Sequence, residues 1–260
     1  MKQEITFEDS KGESLCGILS DPYENKSHPL VVLCHGFSTS KDGRTYLRLE
    51  EMLNREGIST FRFDFFGHGE SGGRFEDITT SRAVDDVLSA LRFAEKSGYT
   101  KIGLFGSSFG GLASILAASR SNSPRILALK SPVTDYRTMA LTRLSQKELR
   151  EWKDKGYMEF ETFDDEKRRL NYSFYEDAEK INAREAAQGI QIPVLIVHGD
   201  ADETVPVEQS RKAASLITDC RLEIIQGCDH VYSDPEHFER LLRLVSEFII
   251  DSFRPLSPNP

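Results

Sequence analysis

Residues 101–119 read KIGLFGSSFGGLASILAAS, and the order of residue types in this stretch decides the fold. Lys101 to Phe105 is a short, mostly apolar run of strand length that stops at a glycine, and Phe109 to Ser119 is a longer run suited to a helix. Between them Gly106-Ser107-Ser108-Phe109-Gly110 spells Gly-x-Ser-x-Gly, a sharp strand-to-helix turn that presents a serine hydroxyl above the sheet. The turn is strained and its flanks crowd the neighbouring backbone, so the positions two before and two after the serine must be small. Around Ser108 both are glycine; around Ser107 they are Phe105 and Phe109. The register selects Ser108 as the nucleophile and gives Ser107 a structural part.

Outward from this turn the alternation continues. Upstream, strands are expected at Glu4 to Glu8, Leu15 to Ser20 and Leu30 to Cys34, the last an apolar run that ends at His35-Gly36 and reads as a buried central strand. A helix from Tyr46 to Glu56 stops at Gly57, where a C-terminal cap belongs; a strand from Ile58 to Asp64 and a helix from Thr80 to Lys96 follow. Downstream come a strand Arg125 to Leu129 and, after a gap, a strand Val194 to Val197, a helix from Pro206 to Leu216, a strand Leu222 to Ile225 and a helix from Pro235 to Ile250. Strands alternating with helices in this way make βαβ units around a parallel sheet, so the fold class is α/β.

The gap, about Pro132 to Gly189, is too long for a plain connection and reads as an inserted lid. Within it Thr138 to Lys153 is expected to be helical, and Tyr157 to Phe163 with Arg168 to Tyr175 to form a hairpin turning at Asp164 to Lys167. The expected division is a core over 1–131 and 190–254, a lid over 132–189 and a flexible tail over 255–260.

A chain of 260 residues can build one large core. Its apolar fraction of 38% and charged fraction of 29% suit a globular domain with a well-solvated surface. The net charge of −9 disfavours nucleic acid or an anionic membrane as partner, since both need clustered Lys and Arg. No run reaches transmembrane length, and Met1 to Ser10 lacks the apolar stretch of a secretory signal. Cys16, Cys34, Cys220 and Cys228 show neither zinc nor redox spacing, so free thiols and a cytoplasmic location are expected. The sequons at Asn25 and Asn171 are read as accidental on the same ground.

A serine hydroxyl is a poor nucleophile at neutral pH and needs a base to take its proton. Of six histidines, His28 precedes a proline in a polar loop, His35 and His68 lie in glycine-flanked loops, His198 ends a strand and His237 begins a helix. His230 follows the last strand through Gly227-Cys228-Asp229, which fits the chain order of nucleophile, acid, base. The acid that orients the base belongs after the preceding strand, where Asp200 and Asp202 both qualify and spacing does not separate them. An oxyanion needs two main-chain N–H donors. These are Phe109, just after the nucleophile, and Phe37, in the loop after the early central strand, where Gly36 lets the backbone turn close to a substrate.

His35-Gly36-Phe37, Asp64-Phe65-Phe66-Gly67-His68-Gly69-Glu70-Ser71, the Ser108 turn, His198-Gly199-Asp200-x-Asp202-x-x-Val205-Pro206 and His230 together resemble the lid-bearing α/β-hydrolases of the serine aminopeptidase-like group. That group includes cinnamoyl (feruloyl) esterases and monoacylglycerol lipases, and the resemblance spans nearly the whole chain. It implies the α/β-hydrolase fold, with a mostly parallel central sheet of about eight strands flanked by helices and carrying an inserted lid. It also implies that Asp202, the fifth residue of His-Gly-x-x-Asp-x-x-Val, is the triad acid in preference to Asp200, and it matches Phe37 to the oxyanion position. Gly67 to Ser71 followed by Phe75-Glu76-Asp77 is most similar to the cinnamoyl esterase branch, whereas Ser107 departs from the commoner Gly-His-Ser form.

The expected reaction is hydrolysis of a small-molecule carboxylic ester through an acyl-serine, with no metal or organic cofactor. An aminopeptidase or amidase, and a thioesterase or acyltransferase, would use the same triad, and a non-enzymatic receptor on this fold is a rival from another class. A lid carboxylate placed for a substrate amine would mark the peptidase, and a wholly apolar pocket would suit an esterase. Gly67 to Gly72 matches a dinucleotide-type Gly-x-Gly-x-x-Gly, but no helix is expected directly after it. Asp85-Asp86 and Asp164-Asp165-Glu166 are read as solvated surface instead of metal ligands. The lid aromatics Tyr136, Trp152, Tyr157, Phe160, Tyr172, Phe174 and Tyr175 are candidates for either substrate contact or lid packing.

Overall fold

In the computed structural model, residues 1–23, 26–137, 139, 144–162 and 166–254 are described. The expected tail over 255–260, the sequon residue Asn25 and the hairpin-turn residues 163–165 lie outside them. Every residue of β3 (Leu30–Cys34) is buried, because a helical layer covers each face of the sheet. Leu30, Val32 and Cys34 point into one apolar cluster, and Val31 and Leu33 into another. The same two-residue alternation splits Leu104 from Phe105 in β5 (Ile102–Ser107) and Ile196 from Val197 in β9 (Val194–Gly199). Helices α1 (Arg44–Arg55) and α8 (Pro235–Phe253) cover one face with Leu49, Leu53, Leu241 and Val245. Helices α2 (Thr80–Lys96) and α3 (Phe109–Ala118) cover the other with Val84, Val87, Leu112 and Leu116.

With β1 (Lys2–Glu8), β2 (Ser14–Ser20), β4 (Ser59–Phe63), β6 (Pro124–Lys130) and β10 (Cys220–Ile225), these strands form an eight-stranded sheet in the order β1-β2-β4-β3-β5-β6-β9-β10. The pairs β1–β2 and β2–β4 are antiparallel, and the other five are parallel. From β3 the chain moves through α1 to β4 on one side, then through α2 to β5 on the other side of β3. The strand order therefore reverses between β3 and β5, and the crevice at their carboxyl ends is where such sheets bind ligands. Helix α7 (Val207–Leu216) joins β9 to β10.

Between β6 and β9 the chain runs through α4 (Gln146–Lys155), a hairpin of β7 (Tyr157–Glu161) and β8 (Lys167–Asn171), α5 (Ser173–Ala178) and α6 (Ala183–Gln188). Of the helix expected over Thr138 to Lys153, the described residues hold α4, which starts at a capping box formed by Ser145 and Glu148; residues 138 and 140–143 lie outside the description. The hairpin's second strand also differs, ending at Asn171 instead of Tyr175. From Ser173 the backbone is helical, because Phe174, Tyr175 and Ala178 bury together at a spacing that a helix turns to one side.

One surface assignment is corrected. Asp85 is half-buried, but Asp86 is fully buried and accepts the Phe66 N–H at 2.9 Å, and burial pushes its carboxyl up to about 7. Among the described residues no helix is long and apolar enough to cross a membrane.

Candidate active site

The turn between β5 and α3 holds Ser108 at φ 53° and ψ −113°, a conformation that L-residues rarely adopt. Its backbone is pinned on both sides: Ser108 N–H donates to Lys130 O at 2.9 Å, and Ser108 O accepts from Val133 N–H at 3.1 Å. The flanking glycines are required by close approach. A Cβ on Gly106 would meet the Gly110 carbonyl oxygen at 2.6 Å, and one on Gly110 would overlap the backbone of Cys34 and His35. Among the described residues the other non-glycine positions with positive φ are Ser38, Ser131 and Tyr232. Ser38 and Ser108 line the same cavity, and Ser131 and Tyr232 directly follow its lining residues Lys130 and Val231.

His230, in the loop after β10, points Nε2 at Ser108 Oγ at 3.1 Å and Nδ1 at Asp202 Oδ2 at 2.6 Å. Asp202, in the loop after β9, accepts the N–H groups of Thr204 and Val205 on Oδ1, each at 2.8 Å. Its Oδ2 also lies 3.1 Å from His198 Nε2. Burial works to raise the Asp202 carboxyl, but the hydrogen bonds from His198 and His230 outweigh it and hold the group below the usual carboxylate range. Burial lowers His230, the Asp202 hydrogen bond opposes this, and the Lys130 charge adds to the lowering; the net shift is downward. A neutral imidazole with its proton on Nδ1 leaves Nε2 free to accept from the serine.

The two aspartates left open by spacing have separate partners. Asp200 Oδ1 accepts the Gly227 N–H at 2.6 Å, tying the loop after β9 to the loop that leads to His230, while Asp202 meets the imidazole itself. His35 and His68 brace the loop after β3. His35 donates from Nδ1 to Gly36 O at 2.7 Å and accepts the Phe65 N–H at 3.0 Å; His68 accepts the Ser38 N–H at 3.2 Å. Burial lowers them to about 4 and about 3, in keeping with these neutral roles. Behind the loop, Lys41 bonds Asp64 at 2.7 Å and also pairs with Glu70. His28 pairs with Asp21 and Ser59, and His237 lies in the first turn of α8.

Phe37 and Phe109 both border Ser108, with ring centroids 5.4 Å apart. The two loops abut: a Cβ on Gly36 would stand 3.6 Å from Ser108 Cβ. Phe109 is the first residue of α3, where the main-chain N–H has no intrahelical acceptor. Over Ser108 and His230 opens a cavity of about 490 Å³, walled by Phe37, Phe109, Val133, Tyr136, Met139, Leu144, Met158, Leu170 and Phe174. Tyr136 and Phe174 contact edge-to-face at 4.8 Å. Arg44, Lys130 and Glu161 add charge, and Ser38, Thr39, Thr45 and Thr204 add hydroxyls, to a largely apolar lining.

The insertion's aromatic residues therefore divide. Tyr136 and Phe174 face the cavity, whereas Trp152 is buried, donates from Nε1 to Leu170 O at 2.9 Å, and packs on Tyr172 and Tyr175. Tyr157 takes the cations of Lys155 and Arg169 on its ring, and the Phe160 side chain lies outside the description. Asp9, Asp85 and Asp86 bring carboxylate oxygens within 4.8 Å of one another, but Asp9 already serves Arg82 and the N–H groups of Lys11 and Glu13. None of the three lines the cavity. Sequence reasoning passed over His198, Arg44 and Lys130. A signal existed for Lys130, a lysine at the end of the apolar strand Ile126-Leu127-Ala128-Leu129 that reads as solvent-bound and is in fact buried.

The sequence model of the prolyl oligopeptidase family matches residues 47–255. The chain belongs to that family. It is accordingly an α/β-hydrolase, the superfamily that its motifs imply, and its sheet is that of the fold. This prolyl oligopeptidase family member is 26% identical over 238 residues to "Palmitoyl-protein thioesterase ABHD10, mitochondrial" of Mus musculus, covering 85% of this chain and 75% of that protein. Among solved structures it is similar to Est1E from Butyrivibrio proteoclasticus with ferulic acid bound, at a TM-score of 0.84 and 29% identity over 95% of this chain and 98% of that one. Mouse alpha/beta hydrolase domain-containing protein 10 shares the fold at a TM-score of 0.77 and 22% identity, over 96% and 99% of the two chains.

Proposed function

We propose that this hydrolase cleaves a carboxylic ester through an acyl-serine intermediate. The observation that carries the reading is the unbroken chain from Ser108 Oγ through His230 to Asp202 on the floor of a largely apolar cavity. Ser108 Oγ attacks the ester carbonyl carbon while His230 Nε2 takes its proton, and Asp202 keeps the imidazole oriented through Nδ1–H. The N–H groups of Phe37 and Phe109 hold the oxyanion. Collapse expels the alcohol, which leaves with the proton from His230, and water repeats the sequence to release the acid and restore the serine. None of these steps calls on a metal or organic cofactor. Residues 132–189 act as the lid, with Tyr136 and Phe174 pressed against the acyl part of the substrate. The likeness to a structure holding ferulic acid supports an aromatic or short acyl group.

A thioester is the second reading, favoured by the palmitoyl-protein thioesterase relative. Glu161 on the cavity wall also gives a substrate amine a carboxylate to meet, so an amide belongs in the same trial. Four free cysteines fit the reducing cytoplasm, although the mouse relative is named as mitochondrial. The deciding experiment is turnover on short-chain p-nitrophenyl esters, methyl ferulate, a monoacylglycerol, a palmitoyl thioester and aminoacyl anilides, with Ser108→Ala as the blank. Serine-dependent cleavage led by the oxygen esters is expected. Cleavage confined to the thioester or the anilides would replace the reading, and silence throughout would point to a receptor.

A further inference from the structure

Three consecutive carbonyls in the loop that carries His230 are held by cations. Lys130 Nζ donates to His230 O at 2.9 Å, and Arg44 Nη2 donates to Val231 O at 2.8 Å and to Tyr232 O at 2.6 Å. The cations come from separate parts of the core, Lys130 from the last position of β6 and Arg44 from the first of α1. Each also lies over an aromatic ring, Lys130 Nζ 4.6 Å from the Tyr232 centroid and the Arg44 guanidinium 4.2 Å from that of Phe238. The loop needs restraint, since Tyr232 sits at φ 56°. Lys130 is only 6% exposed, and an ammonium buried against a carbonyl and a ring is a costly way to fill space that a methionine would fill without charge.

We propose that Lys130, assisted by Arg44, is a positioning residue of the hydrolytic site: its buried ammonium locks the backbone of His230 and so aims Nε2 at Ser108. The proposal rests on the reading of His230 as the general base. Charge works in the same direction as geometry. The groups facing Lys130 are Asp202, Cys228, Asp229 and Arg44, and those facing His230 are Asp202, Lys130 and His198. Asp202 is thus flanked by a second cation: burial lowers the Lys130 ammonium to about 8, still above the imidazole, and while it is charged it disfavours a second positive charge on His230.

The test compares wild type with Lys130→Met, Lys130→Arg, Arg44→Met and His230→Gln. The readouts are kcat and KM across pH, melting temperature, and the imidazole titration of His230 followed by NMR. Lys130→Met is expected to lower kcat by about 10²-fold with KM little changed, the scale of loss set by a misaimed reacting group. Its melting temperature should hold or rise, and the His230 titration and the acid limb of kcat/KM should both move to higher pH. Lys130→Arg should recover part of kcat and bring the titration back toward wild type. A folded Lys130→Met with wild-type kcat and an unmoved titration, beside an inactive His230→Gln, overturns the proposal alone. Turnover surviving in His230→Gln overturns the reading of His230 as the general base and the proposal with it. If Lys130→Met does not fold, Arg44→Met decides: a several-fold loss of kcat at constant KM supports the clamp, and no loss overturns it.

Discussion

The core and the insertion between β6 and β9 contribute different things to one cavity. Ser108, Asp202 and His230 all stand after the carboxyl ends of core strands, where the sheet and the loops that follow hold them at hydrogen-bond distances of 3.1 and 2.6 Å. Tyr136, Met139, Leu144, Met158, Leu170 and Phe174, from the insertion, supply much of the apolar wall but no member of the hydrogen-bonded chain. On the proposed function, chemistry and recognition are thus written in separate stretches of sequence. Mutations should separate them too.

The largest effects belong to the core. Ser108→Ala and His230→Ala should each cost roughly 10⁶-fold in kcat, measured on whichever ester turns over best, with folding unchanged by circular dichroism. Asp202→Ala should cost about 10⁴-fold, because nucleophile and base remain but the imidazole loses its orientation. Asp200→Ala should cost far less, since it removes only the tie to Gly227. Were Asp200 the more damaging loss, the choice of acid would be wrong.

Insertion variants should behave otherwise. Phe174 is 1% exposed and also faces the cavity, so Phe174→Ala should destabilise the fold by about 3–5 kcal/mol and raise KM more than it lowers kcat. Thermal melts beside steady-state kinetics would show it, and a loss confined to kcat would erase the distinction between the two regions.

Smaller effects concern pH. His230 is shifted downward, so with His230 as the proposed neutral base the acid limb of kcat/KM should lie below 6.5, the ordinary histidine value. A midpoint above it would place a different group in control. Asp86 carries a raised pKa, so its folded-state proton adds stability that is complete below 3.8 and disappears as pH rises through about 7. Asp86→Asn keeps an acceptor for Phe66 N–H, and relative to wild type it should gain stability on going from acid toward neutral pH, read as melting temperature against pH.

Much of the core was legible because a sheet covered on both faces demands unbroken apolar runs, and Leu30 to Cys34 or Val194 to Val197 can serve as little else. The Ser108 turn was legible through the two glycines that backbone contact demands. Spacing could not divide Asp200 from Asp202, since both lie in one short loop and only tertiary contact shows which carboxylate meets the imidazole. The insertion was harder to read because its elements are short and lean on the core. Tyr172 to Tyr175 looks like strand by composition, yet burial of Phe174 and Tyr175 draws the chain into α5. Lys130 and Asp86 were hidden by their charge, which in sequence points to solvent.

The central claim is that Ser108, and not its neighbour, is the reacting atom's host. Incubation with a fluorophosphonate followed by peptide mass spectrometry tests it directly. One adduct is expected, on Ser108, absent in Ser108→Ala and slowed in His230→Ala. An adduct on Ser107, or labelling that survives Ser108→Ala, would contradict it.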